Sequence, residues 1–141
     1  MNAVQLCLDP QLRYVSRSKQ LGADAIDGYV RETIAALRAE HAASGLPFTQ
    51  YHGCSEEDEQ IVEVCLPTAS GDIELPGQEI AFTVARGAEC EYPEILKVYD
   101  AVVAFAAEHG RAVGGPPRET YVTDPGSPNP EMEVAFPLLG V

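Results

Sequence analysis

The chain predicts an α+β fold: a duplicated β-α-β-β unit, pseudo-two-fold, with antiparallel sheets, two covering helices and a central cleft. Three observations predict it. GLPFTQYHG (45–53) with VEVCLP (62–67), and GPPRETYVT (115–123) with MEVAFP (132–137), read as one hairpin written twice, seventy positions apart. A stretch with apolar residues at helical spacing precedes each hairpin, and an alternating stretch precedes each helix. Elements in that order give antiparallel-rich sheets that need one helix each to cover one face.

The repeat rests on named residues. Gly45, Pro47 and Tyr51 match Gly115, Pro117 and Tyr121, and Glu63, Val64 and Pro67 match Glu133, Val134 and Pro137. Six of the nine identities at this offset fall within residues 45–67, spaced as one hairpin spaces them. Tyr29 and Tyr99 match at the same offset. Self-similarity at a fixed period is the signature of a repeated unit. The copies differ at Thr49, which is Glu119 in the second.

Residues 11–18 alternate Leu12, Tyr14 and Ser16 with Arg13, Val15 and Arg17, a strand pattern. Residues 24–44 place Ile26, Tyr29, Val30, Thr33, Ile34 and Leu37 on one helical stripe ended by Gly45. Strands at 47–52 and 60–66 follow, joined by a turn whose acidic run, Glu56 to Glu59, reads as a solvated loop. Residues 68–78, rich in Pro, Ser, Gly and Asp, read as a linker. The pattern resumes with a strand at 79–85. A helix begins near Pro93, carries Ile95, Leu96, Tyr99, Val102, Val103 and Ala106 inward, and ends near Gly110. Strands at 117–122 and 131–137 close the chain, around a turn too rich in proline to continue a strand. The expected organisation is one domain, 1–141, with halves of about 1–67 and 79–141 joined by the linker 68–78.

Composition narrows the function classes. At 141 residues and 45% hydrophobic content the chain can bury a sizeable core. The N-terminus, MNAVQLCLDP, has neither a basic region nor a long apolar stretch, and no apolar run approaches a membrane span. The expectation is a cytoplasmic protein without a membrane partner. Cys7, Cys54, Cys65 and Cys90 form no C-x-x-C pair and the histidines are scattered, so neither a metal nor another cofactor is expected, and the thiols read as free. With 22 acids against 9 bases the net charge is −13, which repels phosphate backbones and argues against direct nucleic-acid binding. The acidic surface leaves a protein partner open.

Side-chain alternation selects the candidate residues. Pro117, Glu119 and Tyr121 share one strand face, and Pro47, Thr49 and Tyr51 share the equivalent face. Val64, Leu66, Val134 and Phe136 form the helix-covering face of the partner strands, opposite Glu63, Cys65, Glu133 and Ala135. The face with Glu119 is expected to line a groove, away from the helices. Two tyrosines and a carboxylate suit a flat, apolar cation, because aromatic faces attract cations and the carboxylate supplies the counter-charge. The same carboxylate serves equally as a general acid or base if burial raises its pKa.

GPPRETYVTDP (115–125) followed by MEVAFPL (132–138) resembles the C-terminal signature of GyrI-like domains, the effector-binding domains of AraC- and MerR-type multidrug-sensing regulators. LPFTQYHG with IVEVCLP resembles that family's first hairpin, and Leu75-Pro76-Gly77 with EIAFTVARG its strand before the second helix. Tyr92 and Tyr99 match a recurrent tyrosine spacing there. The loop 85–94 departs from the pattern, with Cys90 and Glu91 where the family has Gly-Pro. The resemblance implies a duplicated unit around a cleft and a bulky aromatic, often cationic ligand. It implies Glu119 as the cation partner, within a ligand-binding set of Tyr121, Tyr51, Tyr99, Tyr92, Phe82 and Tyr14. It leaves three readings. The first is a small-molecule binding protein that holds hydrophobic cations. The second is a hydrolase of cyclopropane-bearing alkylators with Glu119 and Tyr121 as catalytic residues. The third is a gyrase-inhibitor-like interaction protein.

Overall fold

A computed structural model describes residues 1–54, 56 and 58–140; Glu57 of the acidic turn lies outside the described residues. Five strands and a helix come before residue 77: β1 (Gln5–Asp9), β2 (Leu12–Gly22), α1 (Ala23–Glu40), β3 (Phe48–Tyr51), β4 (Glu59–Pro67) and β5 (Ile73–Leu75). After it come β6 (Gln78–Arg86), a short 3-10 turn at Gly87–Cys90, α2 (Ile95–Glu108), β7 (Arg118–Tyr121) and β8 (Glu131–Pro137). The class is α+β, and every register within a unit is antiparallel.

The chain divides into two compact units. The first is Gln11–Pro76, and the second joins Met1–Pro10 to Gly77–Val141. In the first unit the strands run β5-β2-β4-β3; in the second they run β1-β6-β8-β7. Each unit is thus a β-α-β-β core with one extra strand at an edge of its sheet. The extra strand in each case is the one that precedes the other repeat: β5 pairs with β2, and β1 with β6. Neither was marked by the sequence pattern. β5 is three residues long within the stretch read as a linker, and β1 leaves four of its five residues exposed.

The hairpins keep the repeat in register. Phe48, Thr49, Gln50 and Tyr51 stand opposite Cys65, Val64, Glu63 and Val62. Arg118, Glu119, Thr120 and Tyr121 stand opposite Ala135, Val134, Glu133 and Met132. Every partner in the second set lies seventy positions after its counterpart. Close contacts explain several of the matched residues. A Cβ at Gly45 would lie 3.3 Å from Pro67, and one at Gly115 would lie 2.9 Å from Pro137. Matched glycines meet matched prolines because nothing larger than hydrogen fits comfortably where the strand ends close.

Each helix buries part of the stripe its spacing predicts; Leu96 and Val103, expected inward, are exposed, and Val98 is buried instead. α1 lies over β2 and β4 with Val30, Thr33, Ile34 and Leu37 buried; α2 lies over β6 and β8 with Ile95, Val98, Val102 and Ala106 buried. Each fully buried aliphatic side chain contributes about 1.5–3 kcal/mol. Small residues under α2, namely Ala81, Thr83 and Ala85, are at most 1% exposed. α1 ends at Glu40, before Gly45, because the chain turns to extended backbone at His41 and Ser44 N then donates to Pro67 O at 2.8 Å. α2 begins two residues after Pro93, where Ile95 N donates to Glu91 O at 2.8 Å.

Candidate functional site

The register settles which face each strand residue takes, since directly opposed residues in an antiparallel pair point the same way. Glu119 and Tyr121 stand opposite Val134 and Met132, on the α2 side of the second unit. This corrects the groove-lining expectation, which put Glu119 on the face away from the helix. Alternation along a single strand separates its two faces but does not say which of them the helix covers.

α2 lies chiefly over β6 and β8, so β7 runs beside the helix rather than beneath it. Tyr99 leans across from α2, and its hydroxyl donates to Glu119 Oε2. The Tyr99 ring meets Phe136 of β8 edge to face, with centroids 5.8 Å apart and planes at 86°. Glu119 and Tyr121 are each only 8% exposed, and Phe136 is 9% exposed. Burial, then the charge of Glu119 and the bond to it, raise the Tyr99 phenol far above its ordinary range. The phenol therefore stays protonated and remains a donor to the carboxylate at any physiological pH. Cys90, in the departing loop, is partly buried, and its thiol is pushed up by burial and by the carboxylates of Glu89 and Glu119.

The other predicted residues stand elsewhere. Phe82 pairs with Ala135 and Gln5, on the opposite face of the second unit from Glu119. Tyr92 precedes α2 and is 73% exposed. Tyr51 and Tyr14 belong to the first unit. Tyr51 is half-buried opposite Val62, on the α1 side. Tyr14 is buried on the other face, where it meets Phe48 edge to face at 5.4 Å. Burial pushes the Tyr14 phenol up to about 12, helped by Cys65 and Glu63 nearby.

Two polar groupings on the faces away from the helices were not read from the sequence. In the first unit, Glu63 Oε1 accepts from Gln50 Nε2 at 3.1 Å and from His52 Nε2 at 2.8 Å, and Gln50 Nε2 also lies 3.4 Å from Tyr14 OH. In the second, Arg118 donates to Asp9 at 2.6 Å. That bond joins the two outermost strands of the unit, β7 and β1. Alternation did place Glu63 and Glu133 on these faces, and the register agrees. Their partners come from strands too distant in sequence to be seen. Among the described residues, no three His, Cys, Asp or Glu side chains converge as a metal ion would require. No helix is long and apolar enough to cross a membrane.

The fold matches several solved structures. The EcmrR C-terminal domain is similar at a TM-score of 0.75 and 18% identity, over 98% of this chain and 98% of that one. SAV2435, solved bound to tetraphenylphosphonium, is similar at a TM-score of 0.68 and 16% identity, over 97% of this chain and 94% of that one. A hydrolase encoded by lin2189 from Listeria innocua has a TM-score of 0.66 at 8% identity, over 96% of this chain and 91% of that one. At these identities the likeness is one of fold. No family model matches the chain, and no curated protein matches it in sequence.

Proposed function

We propose that this protein binds bulky aromatic cations, with Glu119 as the counter-charge and Tyr99 and Tyr121 as its aromatic surround. The observation that carries the reading is the hydrogen bond from Tyr99 to the buried carboxylate of Glu119 on the helix side of the second unit. A carboxylate this sheltered is costly without compensation. The phenol offsets part of that cost, and a ligand cation adds to the compensation. Lipophilic cations suit such a place because they lose little hydration on entering it, and each aromatic face adds about 0.5–2 kcal/mol. SAV2435, with the same fold, binds a cation of this kind. The reading makes the chain a holder or sensor of hydrophobic cations. Tyr92, exposed just ahead of α2, is a further contact for a bulky ligand; Tyr14 and Phe82 stand on faces turned away from the helices and Tyr51 belongs to the first unit, so none of the three is part of the proposed site.

Fluorescence anisotropy of a rhodamine-type dye tests it. Glu119→Gln keeps the shape and removes the charge, and is expected to weaken binding about tenfold or more, since charge-assisted contacts are worth about 1.5–3 kcal/mol. Unchanged affinity in that variant removes Glu119 from the site. Incubation with a cyclopropane-bearing alkylator, followed by mass spectrometry, separates holding from hydrolysis. Intact recovered compound supports binding; catalytic gain of water replaces it with an enzyme in which Glu119 activates water.

A further inference from the structure

Glu119 has a phenol donor within its own unit. Glu63 has Gln50 and His52. Glu133 has neither. It is the residue equivalent to Glu63 at the repeat offset, half-buried on β8, on the face of the second unit turned away from α2. Among the described residues its carboxylate accepts no hydrogen bond. The positions that supply donors to Glu63 are changed in the second copy: Gln50 becomes Thr120 and His52 becomes Val122. The carboxylate was kept while its partners were replaced.

The surroundings of Glu133 are specific. Val84 of β6 and Thr120 of β7 stand directly opposite it, and both are half-buried. Phe82, also half-buried, is its diagonal neighbour on β6, within reach of a long side chain. Arg118 lies near enough to act on Glu133 electrostatically, but its guanidinium is engaged by Asp9 at 2.6 Å. Cys7 and Asp9 of β1 stand opposite Ile80 and Gln78, and Arg118 stands opposite Ala135, which puts all three on the same face as Glu133. Burial raises the Glu133 carboxyl above its ordinary range; Arg118 pulls it down and Asp9 pushes it up.

We propose that Glu133, with the Thr120 hydroxyl and the Phe82 ring, forms a second ligand site that takes a primary or secondary ammonium carried on an aromatic or alkyl body. A half-buried carboxylate without a protein donor keeps its oxygens open to a ligand, and partial burial strengthens a charge-assisted contact made there. An ammonium meets it with N–H groups, the threonine hydroxyl accepts a further one, and the ring offers its face to the charge. The two carboxylates therefore differ in what they select. Glu119 already accepts from the Tyr99 phenol and is matched to a cation that brings charge alone. Glu133 has both oxygens open and favours a cation that donates.

Calorimetry on the intact protein with phenethylammonium and with tetraphenylphosphonium tests the assignment, and the Glu119 reading can fail without touching it. Phenethylammonium is expected to bind wild type at one site, to weaken about fivefold or more in Glu133→Gln, and to keep its affinity in Glu119→Gln. Saturating tetraphenylphosphonium is expected to leave its affinity unchanged. Amide shifts on titration are expected at Val84, Thr120 and Glu133. Thr120→Val, which removes only the hydroxyl, gives a smaller loss in the same direction. The proposal is overturned if wild type shows no phenethylammonium binding, if Glu133→Gln binds it as wild type does, or if the two cations compete.

Discussion

The two hairpins share a register and differ in where they hold charge. On the helix side, the first has Thr49, completely buried, where the second has Glu119 bonded to Tyr99. On the opposite side, the first surrounds Glu63 with Gln50 and His52, while the second leaves Glu133 without a donor and spends Arg118 on Asp9. What is common to both is backbone architecture: glycines against prolines and matched cross-strand partners. What differs is polar chemistry. A duplicated scaffold tolerates this divergence because backbone hydrogen bonds and the helix stripe hold the hairpin, leaving the central strand positions free to acquire separate tasks.

The largest expected effect comes from forcing the first hairpin to imitate the second. Thr49→Glu places a carboxylate at a site with no exposure, and is expected to cost about 3–5 kcal/mol, the range for an uncompensated buried charge. Chemical denaturation reads the loss directly. Glu119→Thr, the reverse exchange, is expected to keep the fold while losing dye binding. A Thr49→Glu protein as stable as wild type would mean that the two positions are interchangeable and that the asymmetry carries no function.

A smaller effect separates the shared scaffold contacts. Gly115→Ala puts a Cβ 2.9 Å from Pro137, whereas Gly45→Ala puts one 3.3 Å from Pro67. The first must shift the ring and is expected to cost about 1–3 kcal/mol, as overpacking does. The second needs only a few tenths of an ångström and is expected to cost less. Equal shifts in midpoint for the two variants would contradict the closer packing of the second hairpin.

The smallest expected effect is a pH dependence. Because burial raises the folded Glu133 carboxyl above its ordinary range, the folded state holds its proton more tightly than the unfolded chain does. Its contribution to stability is present below the unfolded value and is lost as pH rises through the folded one. Glu133→Gln is therefore expected to be more stable than wild type at neutral pH, with the difference vanishing in acid. Thermal melts across that range check it; Glu63→Gln, which removes the negative charge from the acceptor shared by Gln50 and His52, is expected to lose stability at neutral pH instead.

Much of this was legible from local pattern. Alternation and helical spacing located both helices and the six core strands within a few residues, because those signals come from neighbours in the chain. β1 and β5 were not legible. Each is short, and each pairs with the repeat that it does not precede, so the reason for its being a strand lies about seventy residues away. The tyrosines show the same limit. Tyr99 and Glu119 meet through the packing of α2 against its sheet, while Phe82 turns to the other face by the β6–β8 register.

The sequence by itself determined the class, the duplication, the order of the core elements and the one position where a conserved hairpin exchanges Thr49 for Glu119. These follow from side-chain period and turn chemistry, which act over a few residues. Only the tertiary structure decided that Glu119 faces the helix, that Tyr99 supplies its hydrogen bond, and that Glu133 stands without one. Faces and partners are set by cross-strand register and by the packing of helix on sheet, and both depend on segments far apart in the chain.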